Sequence, residues 1–297
     1  MDFALYRTIA AQGGVFTVAQ ALDSCSDAEV RRLVRSGRWR RSRWRGMLVD
    51  NEIPDSFAVQ VRAASLIVGA DLVACHGTAA RLWGFDVLEV PTLHFLGPAD
   101  VVNRRRPGIQ VHPSSQGTDD AVLVDGVWCT PAARTACDVV RLSAPIDGLA
   151  VLDAALGTAW CTAESLAAAA ARQAGLREVI RLRELIPYAS SRAESAMESR
   201  MRWQFIRGGL PAPDVQVRVR TDDGVRWLDT GWRKQRVGAE FDGLEAHMTA
   251  DQLRADRRRH NGLTELDWFL LHFTKDDVYR HPRRMVAETA RALARRS

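Results

Sequence analysis

Lysine is nearly missing from this chain: of 41 basic residues only Lys234 and Lys275 are lysine. A high-GC coding genome produces such an excess of arginine, so arginine abundance identifies no partner and only its clustering is informative. No run of about 18 apolar residues occurs, which excludes a membrane-spanning helix. The acidic Asp2 is no start for a signal peptide, so a cytoplasmic protein without a membrane partner is expected. The five cysteines, at 25, 75, 129, 137 and 161, form no CxxC pair and no histidine-linked zinc spacing. An odd count without such motifs fits reduced, mostly buried thiols. His76, His94 and His112 likewise stand at no metal-ligand spacing and are read as satisfied or exposed histidines. Internal repeats are lacking, and Gly208-Gly209-Leu210-Pro211 reads as a helix stop, because no phosphate-loop lysine follows it.

A hydrophobic fraction of 46% is ordinary for globular proteins, and 297 residues suggest two or three domains. Net charge is +5, with a sequence pI near 9.2, a modest bias toward anionic partners. The basic residues cluster. Residues 38–46 hold five arginines and two tryptophans in nine positions. The preceding segment, Asp27 to Ser36, places Val30, Leu33 and Val34 at helical spacing and leaves Arg31, Arg32 and Arg35 off that stripe, with Gly37 as its stop. Upstream, Phe3 to Gln12 reads as a helix ending at Gly13-Gly14, and Thr17 to Leu22 as a second. Three short helices and a basic hairpin closing at Gly46-Met-Leu-Val49 describe a winged helix-turn-helix. In that fold the third helix reads bases in the major groove, and Arg38, Arg40, Arg41, Arg43 and Arg45 grip phosphate, pairing bidentately as guanidinium does. The alternative is a charged surface hairpin whose tryptophans cover a neighbouring core.

The expected class is α+β, with a winged-helix DNA-binding domain at 1–50, a mixed α/β region at 51–190 and a third domain at 191–297. In the middle region helices are read over 55–69 and 73–84, strands at 93–96 and 109–112, a hairpin at 122–129 around Asp125-Gly126, and helices from Thr130-Pro131 onward. Arg134 and Asp138, four apart on a helix, are read as an intrahelical pair or a buried polar tie. Residues 188–192 read as a linker.

In the last third a helix from Glu194 to Arg207 precedes three strands at 215–219, 225–232 and 236–242. A capping box at Thr249 to Gln252 then starts a helix, 268–273 reads as a buried strand, and His281-Pro282 begins the final helix. Glu240 and Asp242 lie two apart on one strand and Asp229 arrives from its neighbour, so the three carboxylates can share a divalent ion such as Mg²⁺. Such an ion activates water and offsets charge on a phosphodiester. His247 is a candidate proton carrier, and Glu198, or Glu194 one turn earlier, points in from the preceding helix.

The spacing Asp-x10-Glu-x-Asp within α-β-β-β-α-β-α resembles the PD-(D/E)xK nuclease superfamily. Trp227-Leu-Asp229, Ala239-Glu-Phe-Asp-Gly243, His247 and Asp256-Arg-Arg-Arg259 resemble, more narrowly, very-short-patch-repair endonuclease-like domains. Asp242 stands where that superfamily usually has its catalytic lysine. The preceding two thirds resemble a different family. Cys75-His-Gly-Thr-Ala-Ala-Arg-Leu-Trp-Gly84 and Val127-Trp-Cys-Thr-Pro-Ala-Ala-Arg-Thr-Ala-Cys-Asp138, following a winged helix, are similar to the AbiEi antitoxins of type IV toxin-antitoxin systems. That resemblance implies a repressor that binds inverted repeats in its own promoter as double-stranded DNA, compatible with a dimer on DNA. It also implies functional pairing with a neighbouring nucleotidyltransferase-like toxin without a tight complex, and no cofactor for DNA binding. A Mg²⁺-dependent endonuclease targeted by the winged helix is the alternative.

Overall fold

The computed structural model describes residues 3–89, 91–102, 106–114, 117–243 and 261–297. It is a mixed α+β chain with three sheets, divided into two compact units, Met1–Thr135 and Ala136–Ser297. No helix among the described residues is long and apolar enough to cross a membrane.

The first unit opens with helix α1 (Phe3–Ala11), strand β1 (Val15–Thr17), helices α2 (Val18–Leu22) and α3 (Asp27–Arg35), and strands β2 (Trp39–Arg41) and β3 (Met47–Asp50). The strands form an antiparallel sheet in the order β1-β3-β2. Its first strand was not foreseen, since three residues carry almost no periodicity and their hydrogen bonds go to β3, some thirty residues on. The turn into β1 uses Gly13 and Gly14, both at positive φ, and a Cβ on Gly14 would stand 2.3 Å from the Ile53 side chain. Because side chains alternate along a strand, β3 is covered on both faces. Leu48 joins Leu5, Ile9, Phe16, Ala21, Val30 and Trp39 on one side. Met47 and Val49 join Val15 and helix α4 (Phe57–Val68), through Val59 and Ala63, on the other.

Ser56 caps α4 at its start and Gly69, in the left-handed conformation, ends it. The segment 73–84, expected as one helix, is a strand β4 (Val73–Ala74) followed by helix α5 (His76–Leu82). Strand β5 (Leu93–Leu96), helix α6 (Ala99–Val102), strand β6 (Ile109–His112) and the hairpin of β7 (Val122–Val124) and β8 (Val127–Cys129) complete a five-stranded sheet in the order β6-β5-β4-β8-β7. Asp125 and Gly126 at the hairpin tip both have positive φ, as the tight turn requires. Helix α7 (Ala132–Leu142) follows, and the division between the units falls within it.

The second unit holds helices α8 (Gly148–Gly157), α9 (Ala163–Arg172), α10 (Val179–Leu185) and α11 (Ala196–Arg207). Strands β9 (Asp214–Thr221), β10 (Gly224–Trp232) and β11 (Val237–Phe241) then form the expected meander. Strand β12 (Phe269–Phe273) pairs parallel with β11, giving the order β12-β11-β10-β9. It is an edge strand with alternating exposure, not a buried one, because its apolar run covers only one face of the sheet. Helices α12 (Lys275–Tyr279) and α13 (Pro282–Arg295) close the unit over a core of Met201, Phe205, Trp232, Phe273 and Met285. Residues 188–192 are tied down: the Tyr188 carbonyl accepts from Arg202, the Ser190 N–H donates to Asp153, and Arg192 donates to the Gln216 carbonyl. The capping box at 249–252, and Asp256 to Arg259, lie outside the described residues.

Candidate nucleic-acid interface and carboxylate cluster

Helix α3 begins with a reciprocal cap. The Ser26 hydroxyl accepts from the Glu29 N–H, and the Glu29 carboxylate accepts from the Ser26 N–H at 2.8 Å, which holds that carboxyl below its ordinary range. Val30 is buried and Leu33 and Val34 are half-buried, so the apolar stripe faces the core and Arg31, Arg32 and Arg35 stand in solvent. Among the described residues, a surface pair of Arg31 with Asp27 at 2.6 Å is the one ion pair that engages any of them.

The basic hairpin divides into two sets. Arg38 pairs with Glu52 and, at 3.2 Å, with Asp50; Arg40 donates to the Ile53 carbonyl at 2.8 Å and to Asn51 at 3.3 Å. Both are half-buried and fasten β2 to the chain after β3. Arg41 at the end of β2, and Arg43 and Arg45 on the β2–β3 turn, are exposed. The two tryptophans differ as well. Trp39 is 1% exposed and stands edge-on to Phe16, with ring centroids 4.9 Å apart. Trp44 is half-buried, carries the Arg43 guanidinium 4.7 Å from its ring centre, donates to the Gln60 carbonyl of α4, and packs against both neighbouring cores. Six of the eight sequence-assigned arginines therefore stand in solvent. The other two are engaged within the fold.

In the second unit the β10–β11 register pairs Thr230 with Ala239, which sets Asp229 beside Glu240. An Asp229 carboxylate oxygen accepts from the Phe241 N–H at 2.8 Å. Glu240 is 8% exposed and stands opposite His272 of β12, whose Nδ1 is 4.0 Å from its carboxylate. Asp242 follows the end of β11, is exposed, and comes within 3.2 Å of the same His272 nitrogen. The Glu198 carboxylate accepts from Gln216 of β9 and from the Glu194 backbone, both at 3.2 Å. His247 lies outside the described residues. Sequence reading missed His272: it sits in an apolar run, and only the parallel pairing of β12 with β11 puts it against the two carboxylates.

The first unit also brings together residues read as unrelated. His76 opens α5, His94 lies on β5 and His112 ends β6, and their ring centroids are 4.8 to 5.7 Å apart. In the helix after them, the buried Arg134 donates to Asp120 at 2.8 Å and to the Gly117 carbonyl. Asp138 accepts from Arg141 and Gln173. Both residues of the Thr-Pro-x-x-Arg-Thr-x-x-Asp block are thus buried polar ties.

Residues 72–188 match the family model of the AbiEi antitoxin C-terminal domain, so the chain carries a domain of the antitoxins of toxin-antitoxin systems, which act paired with a toxin. Two Mycobacterium tuberculosis proteins described as uncharacterized, from strains CDC 1551 and H37Rv, are each 37% identical over 253 residues, covering 85% of this chain and 92% of theirs. The chain belongs to the family of these two proteins.

Proposed function

We propose that the chain is the DNA-binding antitoxin of a toxin-antitoxin operon and represses the promoter of that operon. The N-terminal three helices and three-stranded sheet are read as a winged helix-turn-helix, with α3 as the recognition helix and the β2–β3 turn as the wing. One observation carries this reading: Arg31, Arg32, Arg35, Arg41, Arg43 and Arg45 are exposed on consecutive elements while the apolar residues between them are turned inward. A like-charged array of this kind is held against its own repulsion most favourably by a polyanion. The partner toxin would be a nucleotidyltransferase-like protein encoded beside it, countered without a tight complex, and an inverted-repeat operator would take two copies.

Fluorescence anisotropy with a duplex of the chain's own upstream region, over a range of salt, tests the assignment. Replacing Arg41, Arg43 and Arg45 with Ala should weaken binding to every duplex and flatten the log–log salt dependence by about one unit per lost phosphate contact. Replacing Arg31, Arg32 and Arg35 should instead relax the preference for the upstream sequence over random DNA. Unchanged affinity and slope in a folded wing variant would overturn the proposal.

A second reading is a Mg²⁺-dependent endonuclease, favoured by the placement of Asp229 and Glu240 side by side on β10 and β11 after helix α11. The donor set fits a hard cation: carboxylates on neighbouring strands, one of them almost buried, would hold it, and it would supply activation of a water. Asp242, in place of a lysine, could not supply the positive charge that a lysine would bring.

A further inference from the structure

We propose that Cys75, His76 and His112 form a transition-metal site selective for Zn²⁺, with His94 positioning His112. The potential ligand atoms of these three residues all lie within 4.8 Å of one another, the one such group of three found among the described residues. Donors of a tetrahedral zinc stand about 3.3–3.6 Å apart, given bonds of about 2.0–2.3 Å. Binding draws the three side chains together to that spacing. A thiolate with two imidazoles is a borderline-soft set that favours zinc over magnesium or calcium.

The scaffold is built for fixed positions. The Cys75 N–H donates to the His94 carbonyl at 3.0 Å, and the His94 N–H donates to the Thr78 hydroxyl at 2.7 Å, so the start of α5 is fastened to β5 from both directions. His112 stands on β6, the parallel neighbour of β5, and its Nε2 is 2.9 Å from the His94 Nδ1. An outer partner of this kind holds the ring plane of a metal-bound histidine. His76 is held at φ +49°, a left-handed backbone that a side chain rarely adopts and that persists where the surroundings fix it.

Electrostatics are permissive. Burial holds the His94 and His112 imidazoles below the ordinary histidine range, which favours their neutral form. Among the described residues, Cys25, Cys129, Cys137 and Cys161 belong to no such group of three. Burial pushes Cys129 and Cys137 up to about 12 and Cys161 up to about 11, which keeps them as thiols. Cys75 is fully buried while His76 and His112 are half-exposed, so a metal enters from the histidine side. Three protein ligands leave the fourth position to water.

Cobalt(II) is the probe, since zinc is spectroscopically silent. The full-length, chelator-stripped protein should take up one equivalent of Co²⁺, giving visible bands of four-coordinate strength and a thiolate-to-cobalt band in the near ultraviolet, both displaced by one equivalent of Zn²⁺. Cys75→Ser should remove the thiolate band, with Cys25→Ser leaving it intact. His94→Ala should keep the band but lower the affinity about tenfold, as removal of an outer partner does. Wild-type protein lacking the four-coordinate spectrum overturns the proposal, whatever the variants do. So does a thiolate band that survives Cys75→Ser.

Discussion

Asp153 and Arg202 form an ion pair at 2.6 Å with side chains 2% and 5% exposed. The Asp153 carboxylate also accepts from the Ser199 hydroxyl and the Ser190 N–H, and Arg202 also donates to the Tyr188 carbonyl, its Nε–H alone finding no partner among the described residues. Removing one member leaves the other charge buried without compensation, so Asp153→Ala should cost about 3–5 kcal/mol in urea unfolding. Replacing both, as Asp153→Leu with Arg202→Met, should recover most of that loss. A single variant within about 1 kcal/mol of wild type would show that water reaches the pair. At this scale the sequence separates exposed from buried charge poorly. Arg38 and Arg40 read the same as Arg41 and Arg43, and what distinguishes them is Asp50, Asn51 and the Ile53 carbonyl across the hairpin. Sequence alone gives no sign of which side of a three-residue strand a side chain takes.

Helix α12 shows how one carboxylate sets the start of an element. Asp277 accepts from the Thr274 N–H at 3.0 Å and from its hydroxyl at 2.9 Å, and pairs with Arg284 of α13. The backbone hydrogen bond is the main reason that its carboxyl is held below the ordinary value of 3.8. Folding therefore favours the ionised form. Its contribution is complete above the unfolded-state value and is lost as pH falls through the lower folded-state value. Asp277→Asn should cost roughly 1–2 kcal/mol at pH 7, and the gap between variant and wild-type unfolding midpoints should close below pH about 3.8. A gap that stays constant to pH 2.5 would exclude the ionised cap as its cause. Elements with local signals were legible: α3 with its stripe of Val30, Leu33 and Val34 stopped at Gly37, α4 ending at Gly69, the β7–β8 turn at Asp125-Gly126, and the meander. Long-range pairing hid the rest. His76, His94 and His112 are 18 residues apart in each step, a spacing that no metal motif uses, and only adjacency of α5, β5 and β6 makes them neighbours.

Charge is unevenly spread over the whole chain. Its first 50 residues hold nine arginines and five acidic residues, +4 of the net +5, so the remaining 247 residues are nearly neutral. If the nuclease reading holds, the charge excess of that first segment would help to direct it to DNA. Incubating supercoiled plasmid with the protein and Mg²⁺, and with EDTA, should give no strand cleavage where the chain is an antitoxin alone. Nicking that needs Mg²⁺ and disappears in Asp229→Ala, with promoter binding retained, would make the endonuclease the primary activity. Thermal stabilisation by Mg²⁺ that is lost in Glu240→Ala, without nicking, would identify an ion site that is inert toward DNA. The Trp44 ring bears on a different property of the molecule. Because it lies in the cores beneath both α4 and the five-stranded sheet, the first 50 residues are no interchangeable cassette: a foreign N-terminal segment would have to bring its own aromatic ring to that gap. Divergence of target sequence among relatives should therefore proceed by point changes at the exposed arginines, and shuffling of whole N-terminal segments should be selected against.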